Sequence, residues 1–162
     1  VRATLVLAAV LLAAGCAGTE SLLPGRSSAA ELRAAMGAPA LERRQPNGET
    51  WLYYPNQPFG RKVLVARVAG DGRLLALEQR LSEEYLAKLV PNQSRKEDVL
   101  DLFGPPYDSL TFPRLERETW SWHMRQFGHL PAGLHVQMSA DGVVREVYVL
   151  DETVSDDRRD VR

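Results

Sequence analysis

The chain has 162 residues, 44% hydrophobic and 25% charged, with a formal net charge of −1. Such proportions belong to a globular chain and exclude a disordered, collagen-like or many-span membrane protein. The near-neutral balance gives no basic field for nucleic acid, and the single cysteine, Cys16, rules out an internal disulfide or a Cys-based zinc site.

Residues 1–15 carry one charge, Arg2, and residues 3–15 are uncharged and small or apolar. That run falls short of the roughly 20 residues that cross a bilayer as a helix. It has the polarity of a signal-peptide apolar region. It ends in Ala13-Ala14-Gly15-Cys16, which resembles a bacterial lipoprotein signal, with Leu12 one place earlier than the commonest pattern puts it. The resemblance implies cleavage before Cys16, a covalent lipid on that cysteine and a tether over residues 16–21. Each buried methylene contributes ~0.8 kcal/mol, so several acyl chains on one residue anchor firmly where one alone is marginal. Ala17, in place of an aspartate, points by the same resemblance to the periplasmic face of the outer membrane.

The remainder is written twice. Residues 23–39 lie over residues 90–106 without a gap, at a constant offset of 67. Further on, Glu49-Thr50-Trp51 matches Glu118-Thr119-Trp120, Phe59-Gly60 matches Phe127-Gly128, and Asp71-Gly72 matches Asp141-Gly142, at offsets of 69, 68 and 70. Shifts of one or two residues are what changed loop lengths produce. The expected units are residues 22–81 and 82–152, followed by a charged tail at 153–162.

Each copy predicts a short helix. Ser27 and Ser94 are placed as N-caps, with Ser94 and Glu97 forming a capping box that copy one lacks, so its start should be the weaker. Leu32, Ala35 and Met36 share one helical face, as do Val99, Leu102 and Phe103. Gly37 and Gly104 suit the left-handed position after the helix, and Pro39 and Pro106 block extension. A second short helix, capped by Ser82, precedes copy two, with acids in its first turn and Lys88 near its end.

The period then changes to two. A hairpin over residues 41–54 turns at Pro46-Asn47-Gly48. Trp51 and Tyr53, and likewise Trp120, Trp122 and Met124, should face helices. Asp71-Gly72 and Asp141-Gly142 predict two-residue type I′ hairpins. Counting outward from those turns pairs Val68 with Leu75, Ala66 with Leu77 and Leu64 with Gln79. In copy two it pairs Val136 with Val147 and Leu134 with Val149, and leaves Met138 opposite Arg145 at a rim. The other face carries Val65, Arg67, Ala76 and Glu78, or His135, Gln137, Glu146 and Tyr148, and should meet water. The expected fold class is α+β: two tandem αα-βββ(β) units with antiparallel sheets and helices packed on one face. Units of about 65–70 residues are marginal alone and should pack together.

In this order the Gly-x-Pro helix end, the Glu-Thr-Trp strand and the Asp-Gly hairpin, with the lipid signal, resemble the BamE (SmpA/OmlA) family of outer-membrane lipoproteins. In that family's pattern a glycine precedes the helix. Gly25 fills the place in copy one, and Asn92, which also tolerates left-handed geometry, fills it in copy two. The tandem arrangement is similar to the β-lactamase-inhibitory-protein fold, whose joined sheets bind protein. The resemblance implies a non-catalytic, outer-membrane-anchored scaffold in envelope or outer-membrane protein assembly, with the barrel-assembly machinery as partner. The alternative it implies is an anchored inhibitory or protein-binding module acting on another envelope protein.

Reactive constellations are absent from the pattern. No Gly-rich phosphate loop or nucleophile elbow occurs. His123, His129 and His135 are spaced by six, without an acidic ligand keeping step, and read as surface or rim residues. Glu49 and Glu118 recur because the chain is duplicated. No enzyme, metal, small-molecule substrate or cofactor beyond the lipid on Cys16 is expected. The candidate protein-binding face comprises Leu52, Tyr54, Arg67, His123, His135 and Tyr148.

Overall fold

The computed structural model describes residues 21–153. The signal segment, Cys16, Ala17 and the tail beyond residue 153 lie outside the described residues. In chain order the elements are α1 (Ala29–Met36), β1 (Leu41–Arg44), β2 (Thr50–Pro55), β3 (Val63–Val68) and β4 (Leu74–Gln79). There follow α2 (Glu83–Leu86), α3 (Lys96–Phe103), β5 (Asp108–Phe112), β6 (Arg117–Gln126), β7 (Leu130–Ser139) and β8 (Val144–Asp151). The strands form two four-stranded antiparallel sheets, β1-β2-β3-β4 (sheet 1) and β5-β6-β7-β8 (sheet 2). The fold is α+β, with two similar sheet units.

Both units enter their helix by the same strap. The Leu23 amide donates to Ser27 Oγ at 3.0 Å, and the Val90 amide donates to Ser94 Oγ at 2.9 Å. Gly25 and Asn92, at φ +79° and +65°, turn their amides onto the Leu74 and Val144 carbonyls, each at 2.7 Å. Ser27 and Ser94 therefore hold the strap and are not the helix caps, and each cap comes one residue later. In α1 the Ser28 hydroxyl accepts from the Glu31 amide at 3.2 Å and Glu31 accepts from the Ser28 amide at 2.7 Å, a complete capping box. In α3 the Arg95 amide donates to Asp98 at 2.7 Å, and arginine offers no acceptor in return. The better-capped start is thus in copy one, the reverse of expectation.

The hairpins also differ from expectation by one residue. The Gly72 amide donates to the Ala69 carbonyl and the Ala69 amide to the Arg73 carbonyl, both at 2.9 Å, and only Gly72 of the turn has positive φ. This is a three-residue loop with a glycine bulge, where a type I′ turn would need both central residues at positive φ. Residues 139–143 repeat it. The extra residue shifts the pairing near each turn, so Val68 meets Leu74 and Met138 meets Val144. Leu75 and Arg145 drop out of the ladder, and the apolar residues Leu74 and Val144 become fully buried. Farther from the turns the pairs Ala66–Leu77, Leu64–Gln79, Val136–Val147 and Leu134–Val149 stand as expected.

Packing stacks the elements as α1, sheet 1, the pair α2 and α3, then sheet 2. Leu32 of α1 is buried with Leu52, Tyr54, Ala66, Val68 and Leu74 of sheet 1. The opposite face of sheet 1, with Tyr53, Val63 and Val65, shares a second core with Val99 and Phe103 of α3 and with Trp120, Trp122, Leu134 and Val136 of sheet 2. Val65 is fully buried, so this face of sheet 1 is covered by the helices of the second unit and does not meet water. The Tyr53 hydroxyl donates to the Asp101 carbonyl of α3 at 2.8 Å, and Arg43 pairs with the Asp101 carboxylate.

The registers show which residues are equivalent. Leu52 pairs with Ala66 and Ala66 with Leu77, just as Trp120 pairs with Val136 and Val136 with Val147. Leu52 therefore matches Trp120, and Trp51 matches Thr119. The Glu-Thr-Trp match is one residue out of structural register, so Trp51 and Trp120 face opposite sides of their sheets. Each still makes the same local clip, its indole N–H donating to Glu49 at 2.9 Å or to Glu118 at 2.7 Å.

Candidate protein-binding face

With sheet 1 covered on both sides, the face of sheet 2 turned away from α3 is the broad one left without a helix among the described residues. Cross-strand pairing places Ser121 opposite His135 and His135 opposite Tyr148, and places Thr119 opposite Gln137 and Gln137 opposite Glu146. Where sheet 1 has Trp51, Tyr53, Val63 and Val65, the matching positions here are Thr119, Ser121, Gly133 and His135. Bulk apolar groups that seat a helix pair are replaced by short polar ones and an imidazole.

The imidazoles are held in place. His135 Nδ1 lies 2.9 Å from Ser121 Oγ, and the ring stacks on Tyr148 at 5.2 Å between centroids. His123 stacks on Tyr107 at 4.3 Å, and its Nδ1 lies 2.9 Å from Glu152 Oε1. Gly133 gives them room, since a Cβ there would come within 2.9 Å of His135 Nε2. The loop between β2 and β3 reaches across from the first unit. Gln57 donates to the His123 carbonyl at 2.7 Å and accepts from its amide at 2.9 Å, along the part of β6 that β5 does not cover. Arg61 donates to Glu152 at 2.6 Å and to the Ala132 carbonyl at 3.2 Å.

Burial lowers the His135 pKa below the ordinary imidazole value, with Glu152 opposing and His123 adding to the effect. At Glu152 burial works to raise the pKa, but the hydrogen bonds from Arg61 and His123 outweigh it and hold the carboxyl below its usual range. The cluster thus presents a neutral imidazole beside a compensated carboxylate. The Thr119 hydroxyl is buried on this face without a hydrogen-bond partner.

Three of the six residues expected on one face are brought together: His123, His135 and Tyr148. Leu52, fully buried, and Tyr54, 8% exposed, point into the α1 core and are not available to a partner. Arg67 lies on the opposite side of sheet 1, where it donates to Glu49 through two bonds of 2.7 and 2.8 Å and pairs with Glu78. Those bonds, chiefly from Arg67 and then from Trp51, lower the Glu49 pKa to about 2. His129 sits apart in the β6–β7 turn, exposed, and no group of three potential metal ligands converges among the described residues. Sequence reasoning missed Tyr107, Thr119, Ser121, Glu152 and Arg61. Alternation along β6 marks Ser121 and Thr119, while nothing local marks Arg61.

No family model matches the sequence, and no curated protein matches it. Solved structures with a similar chain path include a DUF4309 family protein from Bacillus subtilis, at TM-score 0.32 and 16% identity, covering 82% of this chain and 84% of that one. A candidate β-lactamase inhibitor protein from Streptococcus mutans is similar at TM-score 0.30 and 15% identity, covering 77% and 83%. An extracellular SCP-domain protein from Bacillus anthracis is similar at TM-score 0.33 and 15% identity, over 85% of this chain and 47% of its own. None of these comparisons supports the BamE resemblance, which rests on the sequence motifs alone. No helix among the described residues is long and apolar enough to cross a membrane.

Proposed function

We propose that this chain is a non-catalytic protein-binding module held at the cell envelope through a lipid on Cys16, and that the open face of sheet 2 is its recognition surface. One observation carries the reading. The matching face of sheet 1 is filled by α2 and α3, whereas that of sheet 2 has no helix packed on it among the described residues and is recast in short polar and aromatic residues. Tyrosine and histidine stacks that are already ordered lose little freedom on binding, which is how aromatic contact residues gain affinity. A polar partner segment that meets His135, Gln137 and Tyr148 fits this face better than a third helical layer would.

The test is a crosslinking pull-down from intact membranes of the source cells. His135→Ala and Tyr148→Ala leave the core untouched and are expected to abolish partner capture while the thermal midpoint stays close to that of the parent. Capture that survives both changes places recognition elsewhere. The BamE-like motifs make the barrel-assembly machinery the first partner to seek in that pull-down. Cys16→Ala is expected to move the protein from the membrane to the soluble periplasmic fraction, and an unchanged distribution removes the anchor from the proposal.

A further inference from the structure

Two units on one plan let each sheet edge be compared with its counterpart. β1 and β5 are the outer strands beside β2 and β6. Arg43 lies opposite Trp51 and Leu110 opposite Thr119, while Glu42 lies opposite Leu52 and Ser109 opposite Trp120. Leu110 therefore stands where Arg43 stands in the first unit, and Ser109 where Glu42 stands. On β1 both side chains are charged and committed: Glu42 pairs with Arg33 at 2.8 Å, and Arg43 pairs with Asp101 of α3. Charge on an outer strand is a common guard against pairing with another chain. The other two outer strands, β4 and β8, are held at their starts by the straps. The Leu74 amide donates to the Ser27 carbonyl at 2.8 Å, and the Val144 amide donates to the Ser94 carbonyl at 2.9 Å.

β5 has neither device among the described residues. All of Asp108–Phe112 is exposed, and β6 is its one strand neighbour. An outer strand leaves a row of backbone N–H and C=O groups pointing away from its sheet. Cross-strand partners share a face, so Asp108, Leu110 and Phe112 lie on the open side of sheet 2 with Ser121, Thr119 and Arg117. Leu110 is 55% exposed, and Leu115, in the turn that follows, is 63% exposed. The strand's single charge, Asp108, is at its start, and Arg114 stands just past its end. Neither forms an ion pair among the described residues.

We propose that β5 pairs antiparallel with β5 of a second copy of this chain. A two-fold axis through Leu110 pairs the whole strand: Leu110 meets Leu110 of the second copy, Asp108 meets its Phe112, and Ser109 meets its Thr111. Pro113, which has no amide to donate, closes the ladder at each end. The same axis sets Asp108 of each copy beside the turn that carries Arg114 of the other, so two uncommitted charges of opposite sign meet twice. Symmetry thus supplies the apolar centre and both charge contacts, which is what commits the edge to a second copy. Two four-stranded sheets become one of eight strands with both open faces on the same side. The contact is edge to edge and stands whether or not those faces bind another protein.

The test is sedimentation equilibrium and oxidative crosslinking of the full chain in detergent. The parent is expected to dimerise with a Kd of about 10–100 μM, since so short a ladder is at the small end of protein interfaces. Asp108→Arg should weaken the dimer about tenfold by setting like charges together at both ends, and adding Arg114→Asp should restore it. Leu110→Lys, which gives β5 the charge its counterpart carries, should leave a folded monomer with an unchanged thermal midpoint. For crosslinking, cysteines are introduced in a Cys16→Ala background. Leu110→Cys should form a disulfide dimer, because directly paired Cα atoms lie about 4.5–5.5 Å apart. Asp108→Cys and Phe112→Cys should each fail alone, their like positions being about 13 Å apart, and crosslink when the two are mixed. A parent that stays monomeric to about 1 mM, a dimer undiminished in Leu110→Lys, or disulfides formed as readily by Asp108→Cys alone as by Leu110→Cys overturns the proposal. So do amide NMR shifts along β5 with a Thr-Val repeat peptide in a chain that stays monomeric, which would give this edge to another protein's strand.

Discussion

The duplication supplies a matched pair of glycines whose replacement separates backbone strain from packing. Gly37 and Gly104 follow α1 and α3 at φ +80°, ψ −165° and φ +68°, ψ −164°, a region occupied almost wholly by glycine. A Cβ on Gly37 would meet nothing within 4 Å, whereas one on Gly104 would lie 2.7 Å from Cδ1 of Tyr53. Gly37→Ala therefore carries the backbone strain alone, roughly 1–3 kcal/mol. Gly104→Ala adds overpacking against a fully buried ring whose hydroxyl is fixed to the Asp101 carbonyl, roughly a further 1–3 kcal/mol. Urea denaturation reads both as shifts in midpoint at constant slope. In a Tyr53→Leu background the excess at Gly104 should vanish, giving a coupling of about 1–3 kcal/mol between two residues on different units. Equal destabilisation by the two alanines, or no coupling to Tyr53, would refute the seating of α3 on sheet 1 through this contact.

The caps and charges give two further tests. Ser28→Ala removes the hydroxyl that accepts from the Glu31 amide, keeps the Ser28 amide bond to the Glu31 carboxylate, and should destabilise by about 1 kcal/mol, whereas Arg95→Ala loses no cap acceptor, keeps the backbone bond to Asp98 and should change the urea midpoint by less than half as much. Glu49 has its pKa lowered to about 2. A carboxylate whose folded pKa is depressed contributes stability above its unfolded value, about 4.3, and loses it as pH falls through the folded one. The parent should thus lose stability between about pH 4.5 and 2 more steeply than Glu49→Gln, when chemical denaturation is followed across that window. Parallel curves for the two proteins would mean that the Arg67–Glu49 pair adds nothing to folding.

The two similar sheet units, the helices α1 and α3 and the distal pairs were legible in the sequence because each is a local periodicity or a fixed spacing. What went astray did so by single residues, and period two magnifies a single residue into a change of face. The Asp-Gly dipeptides announce a hairpin equally well for a two-residue turn and for a three-residue loop with a glycine bulge. Only the backbone distinguishes them, and the choice decides whether Leu74 or Leu75 is buried. The Glu-Thr-Trp motif misled for the same reason. A local clip between glutamate and indole repeats in both copies, but one residue of slippage turns Trp51 towards the second unit and Trp120 towards its own helix.

Contacts between the units were the part that periodicity could not reach. An exposed-looking alternation such as Val65, Arg67, Glu78 reads as a wet face when each unit is considered alone. It becomes an interface once α2 and α3 are laid on it, with Arg80 stacked between Trp51 and Tyr85 at 4.6 and 4.7 Å and only 3% exposed. The composition held a clue, since Tyr53, Val63 and Val65 are too apolar for a solvated face while Ser121, Gly133 and His135 at the matching positions are not. Two copies of one plan that differ most on one face are telling where their surroundings differ: the first copy has the second to cover it, and the second has a polar surface suited to something other than another copy of itself.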